Sequence, residues 1–234
     1  MAANANLEIP AAAPVDSDFL HRLLHDLKGP VGRARMLSEL IERRGAGLDP
    51  ETKTLLGYIG ASVNAAETVL DAVRRYAEVL DWPFRPSRFD LTVSVDSAVA
   101  RLEDEITGAG ATINRGTLPA VWADMAQMTA LFVELISNAL RFRSLEPLVI
   151  EIAAIPAVDR PESTGCLITV VDNGIGISDA LRQRLFQPLS KATERAGAGM
   201  GLAICRCIAE VHCGEIVAVP RAYGAEFRVN LPGQ

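Results

Sequence analysis

No stretch of this 234-residue chain approaches the roughly 20 consecutive apolar residues that cross a bilayer. The first fifteen residues, Met1 to Val15, hold neither a basic segment nor an apolar one, so no secretory leader is expected there. Their Ala, Asn and Pro read as a flexible lead-in. Positive charge is also short: 23 Lys and Arg against 29 Asp and Glu leave a formal charge of −6, which argues against a general nucleic-acid binder. Cysteine is limited to four residues. Cys205, Cys207 and Cys213 crowd near His212 and invite a zinc reading. Positions two apart on a helix point about 200° away from each other, however, so a shared metal is disfavoured and thiols of a reduced protein are expected. Together these absences predict a cytoplasmic protein without a membrane span. What is present suits a globular chain: 49% hydrophobic and 22% charged residues, with length for one large core or two small ones.

The apolar pattern changes character along the chain. From Asp18 to about Leu80 it is helical. Leu20, Leu24, Leu27, Val31, Ala34 and Ile41 follow steps of four and three with a gap at Ser38. Leu55 or Leu56, Ile59, Val63, Ala66, Leu70, Val73, Ala77 and Leu80 repeat the theme. Between the two runs, Gly45 and Gly47 suit a helix stop, while Asp49 followed by Pro50 suits a start. Two amphipathic helices joined this way form an antiparallel hairpin. Its second apolar stripe needs cover, either from another copy in a four-helix bundle or from the rest of its own chain. Asp81-Trp82-Pro83-Phe84-Arg85-Pro86 then breaks the helix. Beyond it, helices are predicted near 92–109, 124–142, 179–185 and 200–212. Strands are predicted near 111–115, 147–154, 166–171, 215–219 and 225–231. The expectation is a multidomain α+β chain: a flexible segment over 1–17, a helical hairpin over 18–81, a linker over 82–87, and a two-layer α/β sandwich over 88–234.

Four separated segments carry chemistry. His25 is followed by Asp26 on the first helix; a neutral imidazole can attack phosphorus, and a carboxylate can orient it or accept its proton. Pro30 removes the hydrogen bond to the Asp26 carbonyl, so a bend is expected just beyond. His21, one turn earlier, lacks that context and reads as an ordinary helix-face residue. Glu134, Asn138 and Arg141 share one helix face at i, i+4 and i+7, offering a hard amide oxygen, a carboxylate and a guanidinium. Asp172 closes the apolar run Cys166–Val171 and precedes Asn173-Gly174-Ile175-Gly176; it can accept a hydrogen bond from a base amino group or simply open a turn. Gly197-Ala198-Gly199-Met200-Gly201-Leu202 leads into a helix, where exposed amides and the helix dipole favour an anion. It is not a Walker A loop, since no Lys-Ser/Thr follows, and it lacks the strand that a dinucleotide fingerprint requires.

In this order and spacing the four segments resemble the H, N, G1 and G2 boxes of sensor histidine kinases. His-Asp-Leu-Lys and Arg141-Phe142-Arg143-Ser144 resemble the phytochrome-related kinases in particular. The resemblance runs from about residue 18 to the C-terminus and implies a Bergerat (GHKL) sandwich that uses ATP and Mg²⁺ to phosphorylate His25. It assigns Asp26 and Glu134 to the reaction, Asn138 to Mg²⁺, and Arg141 to phosphate. It further assigns Asp172, Gly174 and Gly176 to adenine, and Gly197, Gly199, Gly201 and Leu202 to the phosphate turn. Phe186-Gln187-Pro188-Leu189 is similar to the F box, and residues 187–198 with Lys191 become a mobile lid. Implied partners are a second copy through the hairpin, the receiver domain of a response regulator, and a separate sensor protein if this chain is not a fragment. Two departures stand out. Gly29 occupies the position where many relatives carry a water-positioning Thr or Asn, which puts phosphatase activity by the usual route in doubt. Gly224-Ala225 stands for the frequent Gly-Thr. The alternatives are a histidine phosphotransfer scaffold with an inactive nucleotide domain, or a non-kinase ATPase of the same superfamily.

Overall fold

A computed structural model describes residues 16–45, 47–156, 165–190 and 197–232. The hairpin is α1 (Ser17–Arg44) and α2 (Pro50–Leu80). Its turn is punctuated as the sequence predicts: Gly45 caps α1, and the Asp49 carboxylate accepts from the Thr52 amide at 2.9 Å and the Thr52 hydroxyl at 2.7 Å. α1 is one helix through Pro30. The seam differs from the predicted stripe in detail. Leu20 and Ser38 are the buried positions of α1, whereas Leu27 and Ile41 stay exposed; in α2 the buried residue is Leu56, not Leu55. Ser38 fills the gap in the apolar run by facing Gly60 on the other helix. Cross-pairs fix the register, His21 with Asp81 at the base and Arg35 with Glu67 farther up.

The remainder is a sheet with helices on one face. β2 (Thr112–Arg115), β4 (Val149–Pro156), β5 (Cys166–Asp172), β7 (Ala225–Leu231) and β6 (Glu215–Val219) lie in the order β2-β4-β5-β7-β6, with only β2 and β4 parallel. A separate two-stranded ribbon, β1 (Ser87–Asp90) with β3 (Ala120–Ala123), has no counterpart in the sequence prediction, and β1 begins inside the expected linker. The helix predicted over 92–109 is two, α3 (Thr92–Arg101) and α4 (Glu103–Ala109), broken at Leu102. Glu103, Asp104 and Glu105 suit a fresh helix start, because carboxylates are favoured at the positive N-terminal end. α6 (Asp179–Arg182) is a single turn.

The core lies between this sheet and α3, α5 (Met125–Arg141) and α7 (Gly201–Val211). Met128, Leu131, Phe132, Leu135 and Ile136 on α5 are all but inaccessible. Each such side chain contributes about 1.5–3 kcal/mol of transfer free energy. Burying that stripe obliges the residues between, Glu134 and Asn138, to face the other way.

Among the described residues no helix is long and apolar enough to cross a membrane.

Candidate functional site

β5 alternates strictly, with Cys166, Ile168, Val170 and Asp172 on the inner side. The same period that buries two aliphatic side chains therefore delivers a carboxylate into the cleft between sheet and helices. Asp172 Oδ1 accepts from the Gly174 amide at 2.9 Å and the Ala225 amide at 3.2 Å. Burial pushes this carboxyl above the usual range, against the pull of those two amides and of Arg221. Asn173 is a brace: its side chain accepts from the Val149 amide and donates to the Pro147 carbonyl, both at 2.9 Å, tying the loop to the start of β4.

Backbone approach decides several glycines. Gly224 has φ +69°, and a β-carbon there would run into the Asp172 carbonyl oxygen. Gly174 packs on the Phe142 carbonyl at the end of α5, and Gly176 on Gly224. At Gly201 a β-carbon would stand 2.5 Å from Glu134 Oε2, so a side chain there would displace the α5 carboxylate from the start of α7. Gly197 and Gly199 also have positive φ, and Gly197 lies against the Arg141 guanidinium.

One cleft thus gathers Glu134, Asn138, Asp172, Gly176, Gly199 and Gly201, with Leu202 and Arg141 also on its wall. Apolar Ile175, Ile177 and Phe227 line it as well, so one cleft combines an apolar wall with the Asp172 carboxylate, the Arg141 guanidinium and the oxygens of Glu134 and Asn138. The Asn138 amide oxygen and the Glu134 carboxylate form a donor set that fits Mg²⁺, which favours oxygen and keeps several waters. His25 and Asp26 are elsewhere, on the exposed surface of α1, with Nδ1 of the imidazole 3.1 Å from Asp26 Oδ1. Lys191, together with the lid residues 191–196, lies outside the described residues.

Three contacts had no sequence signal. His21 is not a bystander: its Nε2 lies 2.7 Å from Asp81 Oδ2, clasping the hairpin base. Hydrogen bonds from Ser17 and His21 hold the Asp81 carboxyl below its ordinary value. Arg75 of α2 meets Glu134 at 2.6 Å. His212 is a structural buckle. The Asp124 amide donates to Nε2 at 3.0 Å, so the neutral ring carries its proton on Nδ1, which donates to the Ile208 carbonyl at 2.8 Å. With both nitrogens engaged, the ring has no lone pair left for a metal. Phe84 stacks edge-on against it, and the Asp124 carboxylate accepts from the Arg85 amide at 2.8 Å, fastening the linker to α5. Cys166, Cys205 and Cys207 are buried thiols, and burial pushes Cys166 up to about 12.

Residues 123–234 match the family described as histidine kinase-, DNA gyrase B-, and HSP90-like ATPase. Phytochrome-like protein Cph1 of Synechocystis sp. is 35% identical over 92% of this chain and 29% of its own length. Cyanobacterial phytochrome A of Nostoc sp. is 34% identical over 92% of this chain and 28% of its own. The chain therefore spans less than a third of these relatives. Among solved structures, full-length ShkA in complex with AMPPNP superimposes with a TM-score of 0.66 at 20% identity, over 94% of this chain and 46% of that one. Histidine kinase ThkA in complex with response regulator protein TrrA gives 0.63 at 21% identity, over 93% and 61%. At those identities the likeness is one of fold. With the hairpin and the sandwich both matched, the chain belongs to the sensor histidine kinases, its C-terminal part being an ATPase domain of the kind shared with DNA gyrase B and HSP90.

Proposed function

We propose that this chain is a kinase core that transfers the γ-phosphoryl group of ATP to His25 and from there to an aspartate on the receiver domain of a response regulator. The reading is carried by the convergence of Glu134, Asn138, Asp172 and the Gly199–Gly201 turn in one cleft, on a chain that also displays His25 with Asp26 beside it. Asp172 accepts from the adenine amino group. The glycine-turn amides and Arg141 take phosphate oxygens, with Lys191 as the lid's contribution. Asn138, together with waters, would hold Mg²⁺, which would supply positive charge beside the phosphates. An ionised Asp26 only accepts, so the Nδ1 contact keeps the histidine proton on that nitrogen and leaves the Nε2 lone pair outward. Nε2 attacks the γ-phosphorus, the bond to the bridging oxygen breaks with ADP leaving, and Asp26 stabilises or takes the Nδ1 proton. Glu134 would hold a water of that ion or steady the imidazole as it approaches.

The working unit is a pair of chains. Leu37, Leu40, Ile41, Leu55, Tyr58 and Ile59 form an exposed apolar face on the half of the hairpin away from the sandwich. A groove lined by Leu55, Tyr58 and Ile59 together with Val31, Ala34 and Ala66 suits the same face of a second copy. The test is to supply γ-labelled ATP with Mg²⁺ to the wild type and to Asn138→Asp, following ADP release and protein-bound label together. Label on the wild type and a strong loss in the variant support the reading. ADP release without label would favour a plain ATPase, and binding with neither would favour a phosphotransfer scaffold.

A further inference from the structure

The phosphoacceptor side of α1 carries a cation that the reaction described above does not use. His25, Gly29 and Arg33 stand at i, i+4 and i+8, so they follow one another along one side of the helix. Side chains on a helix lean toward its N-terminus and cover the turn before their own. Arg33 does so. Its Nη1 lies 3.4 Å from the point that a β-carbon on Gly29 would occupy, and among the described residues no other side chain beyond the chain neighbours comes within 4 Å of that point. Helix positions four apart hold their β-carbons about 5–6 Å from each other. The guanidinium is therefore carried back to within a side chain's reach of the imidazole, over a residue that has no side chain to part them.

The charges nearby leave that guanidinium uncommitted. Arg35 pairs with Glu39 and Glu67, and Arg22 donates to the Asp18 carbonyl at 3.2 Å. Arg33 is exposed and, among the described residues, has no carboxylate within ion-pair distance. Asp26 is committed to the other nitrogen of His25, 3.1 Å from Nδ1, and 89% of the His25 side chain is open to solvent.

We propose that Arg33 holds the phosphoryl group once it is on His25. The proposal rests on the kinase reading above. Transfer forms the bond from Nε2 to phosphorus and breaks the bond to the bridging oxygen, whose electron pair leaves with ADP. A neutral ring thereby gains an anionic group with three acceptor oxygens. The planar fork of guanidinium donors suits such a group, and Arg33 reaches it across Gly29 with no partner to give up. Pairing stabilises the phosphorylated product, so the equilibrium between ATP with free His25 and ADP with phosphohistidine moves toward phosphohistidine. At an exposed site the gain is that of a surface ion pair, at most about fivefold, and salt screens it.

The experiment compares the full wild-type chain with Arg33→Gln and with Arg43→Gln, a charge control about 27 Å along the same helix from His25. Two readouts are taken. One is the labelled fraction at equilibrium in a fixed mixture of ATP, ADP and Mg²⁺. The other is the proton–nitrogen NMR cross-peak of Arg33 Nε, identified by its loss in Arg33→Gln, before and after phosphorylation. The expected result is an equilibrium constant about two- to fivefold lower in Arg33→Gln only, with a cross-peak that moves on phosphorylation of the wild type and stays in place in His25→Gln. An unchanged equilibrium in Arg33→Gln, or a cross-peak that stays in place while His25 is phosphorylated, would overturn the proposal. If the wild type takes no label from ATP, the kinase reading fails separately. His25 is then phosphorylated with phosphoramidate, beside His25→Gln treated alike, and the cross-peak decides: movement that needs His25 sustains the role of Arg33, and no movement removes it.

Discussion

Replacing Asp172 with Asn should separate stability from nucleotide recognition. The carboxylate is 7% exposed, and both of its hydrogen bonds to the chain fall on Oδ1, from Gly174 and Ala225. An Asn can keep those two bonds through its amide oxygen, which turns its NH₂ toward the cleft. A donor then confronts the adenine amino group where a charged acceptor had been. Loss of a hydrogen bond to a charged group costs about 1.5–3 kcal/mol, and each 1.4 kcal/mol is tenfold in affinity. ATP affinity should therefore fall roughly 10- to 100-fold. Stability should move the other way or not at all. Burial raises the Asp172 carboxyl, so the fold disfavours its charge at neutral pH, and a neutral amide relieves that cost. The assay is calorimetric titration with ATP and with inosine triphosphate, whose ring carries an oxygen in place of the amino group, alongside thermal melts. Inosine triphosphate should lose little affinity or gain some. ATP affinity within twofold of wild type, or equal losses for both nucleotides, would refute Asp172 as the base-reading acceptor.

Other outcomes follow from single contacts. His212 is held below its ordinary pKa mainly by burial, so the unfolded chain takes up a proton that the folded one resists. Stability should thus decline as pH falls from about 6.5 toward the lower folded value and be indifferent above it; melts of wild type and His212→Phe from pH 5 to 8 check this, and an equal slope in the variant would contradict it. Gly224→Ala combines φ +69° with a clash against the Asp172 carbonyl, so it should cost at least about 1–3 kcal/mol and weaken ATP binding together. Ile59→Glu places charge on the exposed hairpin face and should yield monomers in sedimentation with ATP affinity unchanged; an intact dimer would move the interface elsewhere.

Much of the fold was legible because it rests on local rules. The hairpin announced itself through helical period, an Asp-Pro start and a glycine stop, and β5 through a run ending in Asp-Asn-Gly. Glu134, Asn138 and Arg141 share a face by arithmetic alone. What stayed hidden depends on residues distant in sequence. His212 meets the Asp124 amide across 88 positions, and Arg75 meets Glu134 across 59. Neither has a periodic signature. The four-residue strands β1 and β3 are too short to alternate detectably, and the break at Leu102 is marked only by acidic residues that also suit a helix interior. Leu27 and Ile41 fit the helical stripe but stay exposed, because one partner helix can cover only part of a wide apolar face.

The most direct test of the central claim is phosphoryl chemistry at His25. The full chain is incubated with γ-labelled ATP and Mg²⁺ beside His25→Gln, and the label is challenged with acid and with base. Label that is lost in acid, persists in base and is absent from a folded, ATP-binding His25→Gln is the predicted result. Equal labelling of the variant, or label that survives acid, would contradict the account.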